Sequence, residues 1–427
     1  MKRIPQLLLL VVIASTTATG QINCASGGAA NKLVCEFPFA TGAFANSTAL
    51  GTGPQTGSNN AQTVATGINT AVATQVSQLP LAAASAGSVV TFKSGPNGPV
   101  PVVINDLGPI LTDRAQTIGK HLFLGFTASQ FVFTDIDGNS LSNLKWAAVR
   151  TAYDSNQNVV SNTYTTETVQ LSFKINQFVS VATVGLHKNV DVTVVVPASR
   201  ISLSANTTNI QNYVLDTNGN QFTYTTPSSS TVGTASGIGD IVLNVKCRVQ
   251  EWEHDAIAIS GNLRTPTGDS LNFLGSGSWG LNPYLLYSHA GKISPHMKVG
   301  YQWNTRTGLN NASGKFRGNS VLPGGLQYDI GIDWAAKHKV TLVADLLGNQ
   351  FQNVSKLVIQ DIIIPNLTQV TQTTSTVSST YTVSNVATGL KWGPVGGLVL
   401  SANVLTQINN VGLRSRPTPM LGIAYRF

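Results

Sequence analysis

The chain has 427 residues, and its 26 Lys or Arg against 18 Asp or Glu give a net charge of +8, although only 10% of the residues are charged. Ordinary soluble domains carry roughly 25% charged residues. No run of 18 apolar residues follows the N-terminus, which excludes a mature helical membrane protein and leaves a secreted β-rich protein or a transmembrane β-barrel.

The first 20 residues, MKRIPQLLLLVVIASTTATG, have the pattern of a cleavable export signal. A basic start at Lys2 and Arg3 precedes an apolar run over 7–13 that is too short to span a membrane. Small residues at Ala18 and Gly20 then mark a cleavage site. We therefore predict a signal peptide over 1–20 and an exported protein.

Two of the three cysteines, Cys24 and Cys35, lie close together just after this signal. Disulfides form in an oxidising compartment such as the periplasm, so this pair is a candidate disulfide. We interpret Cys247, which has no obvious partner, as a small apolar side chain.

Residues 21–118 are predicted to form a periplasmic or plug-like segment. No charged residue occurs between Glu36 and Lys93, so the segment is either disordered or folded against the rest of the protein. Val64, Ile68, Val72 and Val76 are four residues apart and are followed by Pro80. This spacing predicts a short amphipathic helix near 60–78, and its apolar stripe favours a folded plug.

From residue 119 to 427 the sequence alternates apolar and polar residues with period two, as in VQLSFKIN, IVLNVKCRVQ, HMKVGYQWN and LQYDIGIDW. Such alternation is typical of strands with two different faces, and a soluble sandwich with one wet face would show it too. We predict twelve strands near 120–133, 166–185, 190–204, 239–252, 255–265, 279–289, 295–305, 324–336, 339–350, 379–392, 396–408 and 417–427.

The links between these strands favour the membrane alternative. Short links, such as HKN, EHD and KHK, alternate with long links over 134–165, 205–238, 266–278, 306–323 and 351–378. Tight periplasmic turns and long external loops are the layout of an outer-membrane barrel. The predicted fold is thus an all-β, antiparallel up-and-down transmembrane β-barrel of about twelve strands. A hairpin hidden in 134–165 or 205–238 would make fourteen, with LKWAAVRTAY the first candidate.

Aromatic residues and the C-terminus agree with a barrel in the outer membrane of a Gram-negative-type bacterium. Membrane interfaces are rich in aromatic residues. Seven aromatic residues lie near predicted strand ends: Trp252, Trp279, Tyr287, Trp303, Trp334, Trp392 and Tyr425. In the closing LGIAYRF, we predict that Leu421, Ile423, Tyr425 and Phe427 face lipid. The terminal aromatics Tyr425 and Phe427 resemble the signal by which the barrel assembly machinery recognises its clients.

The opposite, lumen-lining face of the predicted strands carries the charges. Its members are Lys174, Lys246, Arg248, Arg264, Lys298, Lys391 and Arg426, together with Asp329, Asp333 and Asp345. Two interpretations remain open. The charges pair with one another, solvating the interior or holding the plug, or the surplus of positive residues sets the field of a pore that guides anionic or polarisable solutes.

No constellation of residues indicates an enzyme. The histidines His187, His254 and His338 lie in predicted short turns, and neither HExxH nor GxSxG occurs. Asp135, Asp137 and Asn139 alternate, but no Glu follows at the twelfth position of a calcium loop. The basic residues are scattered and form no stripe with aromatics. The sequence therefore predicts no catalytic residue, metal, cofactor or nucleic-acid partner.

Four segments together resemble a known family. They are GPILTDRAQTIGKHLFLGFTASQFVFTDIDGNSL, GIGDIVLNVKCRV, GNLRTPTGD and SPHMKVGYQWN, in this order. They are similar to the bacterial outer-membrane family labelled putative meta-pathway of phenol degradation, which is itself similar to long-chain fatty acid and aromatic hydrocarbon transporters. The resemblance extends over about 60–427 and includes the INTAVATQVSQLPL helix.

This resemblance implies a monomeric barrel, surrounded by outer-membrane lipid, whose N-terminal segment plugs the lumen and which passes small hydrophobic ligands inward. We therefore expect passive uptake of small hydrophobic or aromatic compounds, since the sequence shows no energy source. The alternatives are a structural or adhesive barrel without transport and, third, an outer-membrane hydrolase.

Overall fold

A computed structural model describes residues 32–36, 56–57, 59–77, 90–95, 98–103, 107–307, 320–337, 339–364 and 370–427. Twelve antiparallel strands form the wall of a barrel. They are β1 (Leu122–Ile136), β2 (Val159–His187), β3 (Val190–Asp216), β4 (Val242–Glu251), β5 (Asp255–Arg264), β6 (Gly280–His289), β7 (Ile293–Asn304), β8 (Gly325–Lys337), β9 (Val340–Ile363), β10 (Val370–Trp392), β11 (Leu398–Gln407) and β12 (Thr418–Arg426).

The wall closes on itself, because each strand pairs with the next and β12 pairs with β1. Across this seam Ile423 is opposite Phe126, and the amide of Phe427 donates to the carbonyl of Leu122 at 2.8 Å. Closure leaves no unpaired edge, which is the condition for a sheet to cross hydrocarbon. The predicted up-and-down barrel of twelve strands is confirmed.

The outer surface of the barrel carries an apolar belt. Large apolar side chains that are exposed on it include Phe178, Leu186, Val245, Ile259, Leu285, Met297, Ile330, Leu342, Leu421 and Ile423. Exposed aromatics lie near the strand ends at Trp252, Tyr287, Trp303, Trp334, Trp392 and Tyr425. An apolar belt between aromatic rims on a closed sheet identifies a transmembrane barrel of the outer-membrane type, and this confirms the predicted localisation.

Four strands continue far above this belt. β2 and β3 have 29 and 27 residues, and β9 and β10 have 24 and 23, whereas roughly 9–11 residues cross a bilayer. Much of the long loop predicted at 351–378 is therefore a continuation of the hairpin β9–β10. Just after β1, the carboxylate of Asp137 accepts from the amides of Leu357 on β9 and of Gly412, each at 2.8 Å.

The predicted hidden strand LKWAAVRTAY forms a strand over Leu144–Tyr153, but not a member of the ring. It pairs with the upper part of β2, where Val149 is opposite Tyr164, so the ring keeps twelve strands. The other short strands are Thr56–Gly57, Val90–Gly95, Gly98–Val103, Asn139–Ser140, Gln221–Thr225, Ser230–Ile238, Arg306–Thr307, Ser320–Val321 and Leu413–Ser415.

The prediction that Lys174 lines the lumen is wrong. Lys174 is exposed, whereas its neighbours Phe173 and Ile175 are buried inside the barrel. Lys174 lies further from the periplasmic turn at His187 than the length of strand that crosses a bilayer. At this height water surrounds the wall and the interior is packed with side chains, so the apolar residues of β2 face inward.

The N-terminal segment contributes one long helix, α1 (Asn59–Ser77), close to the helix predicted near 60–78. It packs against β9 and β10. Within the described ranges, no α-helix has the length and hydropathy needed to cross a bilayer. The predicted signal peptide lies outside the described residues.

Replacement of the terminal aromatic, Phe427→Ala, should lower the amount of folded barrel that reaches the outer membrane. The expected reason is weaker recognition by the assembly machinery, since the seam contacts of Phe427 use its backbone. Assembly is measured as the fraction of the protein that migrates faster on a gel before boiling.

Phe126→Ala is the matched control, because Phe126 is also an exposed phenylalanine at the seam. Equal losses in both variants would mean that the barrel only needs apolar surface at the seam, and unchanged assembly of Phe427→Ala would contradict the prediction.

Candidate functional site

A strap of extended chain, residues 107–118, crosses the periplasmic half of the lumen before it enters β1. At its beginning, the amide of Leu107 donates to Thr341 Oγ1 at 3.0 Å. Lys391 Nζ donates to the carbonyls of Leu107 and Pro109. These contacts attach the first part of the strap to β9 and β10.

The centre of the strap binds two wall carboxylates. Asp345 accepts from the amide of Leu111 and from the hydroxyl of Thr112, both at 3.1 Å. Asp333 forms an ion pair with Arg114, and the side chains of both residues are almost fully buried. His296 lies between these carboxylates, with Nδ1 3.4 Å from Asp333 and Nε2 3.2 Å from Asp345.

The last part of the strap is attached to the opposite wall. Lys246 Nζ lies 3.1 Å from an oxygen of Asp113 and donates to the carbonyl of Arg114 at 3.1 Å. Asp191 accepts from the amide of Ile118 at 3.0 Å. The strap therefore spans the lumen from β9 and β10 to β3 and β4.

Three segments pack inside the extracellular half of the barrel, and we call them the upper plug: the turn at 32–36, α1 and the inward-folded loop 265–278. The side chain of Asn69 on α1 donates to the carbonyl of Val34 at 3.1 Å. Lys32 pairs with Asp269 at 2.8 Å. Phe273 of the loop is 1% exposed and packs edge-on against Phe173 of the wall, with ring centroids 6.2 Å apart.

The GIGD and PTGD segments meet in this plug, where their role is structural. Asp240 of GIGD accepts from the amide of Gly268 at 3.1 Å and from the amide and hydroxyl of Ser276 at 2.8 and 2.5 Å. A Cβ added at Gly275 would lie 2.2 Å from the Asp240 carboxylate. The short, buried acid thus folds the loop into the lumen and requires glycine opposite it.

A chamber of about 190 Å³ lies between the upper plug and the strap. Its floor includes Leu111 and Asp113 of the strap, and its roof includes Gln75 and Ser77 at the end of α1. Its polar wall, on β4 to β8, is formed by Asn244, Ser260, Asn262, Arg264, Asn282, Tyr284, Lys298, Gln327 and Asp329. Its more apolar wall, on β1 and β9 to β11, is formed by Phe131, Leu347, Asn349, Phe351, Val383, Asn385, Leu405 and Gln407.

The structure distributes the predicted lumen residues over three places. Lys246, Asp333, Asp345 and Lys391 hold the strap. Arg264, Lys298 and Asp329 line the chamber. The third group lies near the periplasmic rim, where Arg248 donates to the carbonyl of Lys188 at 3.1 Å and Arg426 is half-buried.

The charges around the chamber occur as close pairs. Lys298 lies 2.5 Å from Asp329, and Arg264 Nε lies 3.7 Å from Asp240. This arrangement favours the interpretation that the inward charges pair with one another and hold the plug.

Several residues of the site were not singled out in the sequence. Arg114 and Asp191 hold the strap from positions that the predicted strand pattern did not mark as inward. His296 shares the inward face of β7 with Lys298, two residues on. The period-two pattern could have identified His296 as a lumen residue.

The cysteines and the remaining histidines lie elsewhere. Cys35 is disulfide-bonded, whereas Cys24, its expected partner, lies outside the described residues, as does His338. Cys247 has an exposed free thiol. Among the described residues, no group of three His, Cys, Asp or Glu side chains is placed to hold a metal.

A family model matches the middle of the chain. Residues 150–356 match the family model described as "Putative MetA-pathway of phenol degradation". The predicted family resemblance is confirmed. A search of curated proteins finds no match to the chain.

Solved structures of outer-membrane proteins are similar to this chain at low identity. An outer membrane channel from Pseudomonas putida F1 has a TM-score of 0.42 and 14% identity, over 73% of this chain and 98% of that one. A FadL homologue from Pseudomonas aeruginosa has a TM-score of 0.28 and 8% identity, over 73% of this chain and 91% of that one.

Replacement of the acid that folds the loop, Asp240→Ala, should release loop 265–278 from the lumen. Buried donors at Gly268 and Ser276 would lose their acceptor, at a cost of about 1–3 kcal/mol for each group left unsatisfied. We expect faster cleavage by chymotrypsin after Phe273 in barrels reconstituted in liposomes.

Asp216→Ala is the control, because Asp216 also accepts from backbone amides but lies in an exposed hairpin tip. Cleavage after Phe273 that is as slow in Asp240→Ala as in the control would show that the apolar contacts of the loop suffice to hold it.

Proposed function

We propose that the protein is a monomeric outer-membrane channel for the passive uptake of small hydrophobic or aromatic compounds. The observation that carries this proposal is a chamber inside the barrel that lies between the strap and the upper plug. An adhesive or purely structural barrel has no need of such a chamber.

The upper lumen suits apolar and aromatic solutes. Phe131, Phe133 and Phe173 form a stacked series along its wall, with ring centroids 6.2 and 5.0 Å apart. Phe273 of the upper plug lies against the last of them. All four rings are buried in contact with the upper plug. Displacement of the plug would expose them, and they would then offer stacking and edge contacts to an aromatic solute on its path to the chamber.

Both the strap and the upper plug can be displaced without opening the barrel. The strap is attached to the wall by side-chain hydrogen bonds and ion pairs, such as those of Asp345 and Asp333, whereas neighbouring wall strands share continuous backbone ladders. Movement of the strap would open an exit to the periplasm while every wall strand stays paired. The description of the matched family, which refers to phenol degradation, supports aromatic compounds as cargo.

A disulfide between the strap and the wall should abolish uptake. Ala115→Cys with Ser288→Cys joins two residues that are in contact, since the backbone amide of Ala115 donates to Ser288 Oγ at 2.7 Å. Under oxidising conditions we expect at least a tenfold slower uptake of radiolabelled toluene by whole cells, restored by a reductant.

The controls are the two single cysteine variants and the wild type treated with the same reductant. The wild type is needed because Cys35 is itself disulfide-bonded, and the reductant could break that bond as well. Uptake that continues at the wild-type rate through the locked barrel would contradict an exit past the strap. Cells without the protein that take up toluene normally but no longer attach to surfaces would favour the adhesive alternative.

A further inference from the structure

The chamber shows which kind of molecule the channel accepts, an inference that rests on the proposed function. The chamber is electrostatically balanced: Lys298 pairs with Asp329, Arg264 with Asp240, and Lys246 with Asp113. Breaking a buried pair to bind an ion would leave one charge uncompensated, which is strongly unfavourable. A charged ligand therefore finds no free counter-ion among these groups.

The polar wall of the chamber is largely satisfied by its own hydrogen bonds. Asn282 Nδ2 donates to Tyr284 Oη at 3.0 Å and to Gln327 Oε1 at 3.2 Å. Gln327 Nε2 donates in turn to Gln302 Oε1 at 2.7 Å. Such a connected network is rigid, so it forms a fixed polar surface and offers few free groups to a ligand.

Two amides on the opposite wall differ from this network. Asn349 on β9 and Asn385 on β10 line the chamber and are half-buried. In the described part of the chain, neither side chain has a hydrogen-bond partner, although an amide provides two donors and one acceptor. Their inward-facing neighbours Leu347, Phe351 and Val383 are apolar.

We infer that the chamber selects uncharged molecules that combine an apolar or aromatic body with a hydroxyl, carbonyl or amide group, and that Asn349 and Asn385 bind this polar group. The body lies against Leu347, Phe351 and Val383. A chamber of about 190 Å³ has room for one ring, since a dry cavity of roughly 150 Å³ binds benzene.

Three probes of similar size test this inference: toluene, benzyl alcohol and benzoate. Their binding to the full-length barrel is measured by equilibrium dialysis in detergent, with binding to detergent alone subtracted. We expect benzyl alcohol to bind most tightly, toluene more weakly and benzoate weakest. An affinity for toluene or for benzoate that equals the affinity for benzyl alcohol would overturn the inference.

The double variant Asn349→Leu with Asn385→Leu should weaken benzyl alcohol binding about tenfold, because both hydrogen bonds to the hydroxyl group are lost. Toluene should bind equally or more tightly. Asn176→Leu is the matched control, because Asn176 is an exposed amide on the outside of β2, and it should leave all three affinities unchanged.

Heat modifiability establishes that each variant is folded. The variant Asn349→Ser with Asn385→Ser replaces the amides by hydroxyl groups, which can also form hydrogen bonds, and it should recover part of the benzyl alcohol affinity. Unchanged benzyl alcohol binding in the folded leucine variant would overturn the assignment of the two amides.

The outcomes separate this inference from the proposed function. If locking the strap abolishes toluene uptake but the three probes bind with equal affinity, the proposal of a channel stands and the inference of selectivity is wrong. Selective binding without any uptake would retain the chamber as a binding site and reject the channel.

Discussion

The pairing of backbone groups in hydrocarbon is the constraint on which the whole structure depends. A sheet in a membrane must leave no N–H or C=O unpaired, so it closes, and closure creates an interior. The seam between β12 and β1 shows how far this requirement extends, because even the amide of the last residue, Phe427, is bonded to the carbonyl of Leu122. The strap and the upper plug, by contrast, are attached to this wall through side-chain contacts.

The strap is held inside the barrel by buried charges, although removing a charge from water costs free energy. Arg114 and Asp333 are both almost fully buried, and removal of one partner from such a pair typically costs about 3–5 kcal/mol. The pairs therefore define where the strap lies more than they add net stability. Each charge on the strap has one complementary position on the wall: Asp113 meets Lys246, and Arg114 meets Asp333. A strap shifted by one residue would exchange these signs and lose both pairs.

The sequence was sufficient to predict the wall but not its contents. Alternation with period two, together with short and long links, located all twelve strands, because both features depend on local chemistry. Lys174 shows where prediction from alternation ends. The alternation indicates that Lys174 and Phe173 lie on opposite faces of the strand. It does not indicate which face is inward, because that depends on whether water or lipid surrounds the wall at that height. The strap and the inward loop depend on contacts between residues far apart in the chain, such as Asp240 with Ser276 and Asp345 with Thr112. A single sequence has no local pattern that specifies such pairs.

The inversion of polarity along β2 also organises the lumen. Where lipid surrounds the wall, Phe178 and Leu186 face outward, and the inward face carries Gln177 and Thr183 together with the buried Val179 and Val181. Where water surrounds the wall, Leu171, Phe173 and Ile175 face inward and the lumen becomes apolar. The same alternation thus produces an apolar inward face in the upper part of β2 and a mixed inward face in its lower part, without any change in strand register. The chamber has the same dual character, because the side chains on β4 to β8 are polar and those on β1 and β9 to β11 are more apolar.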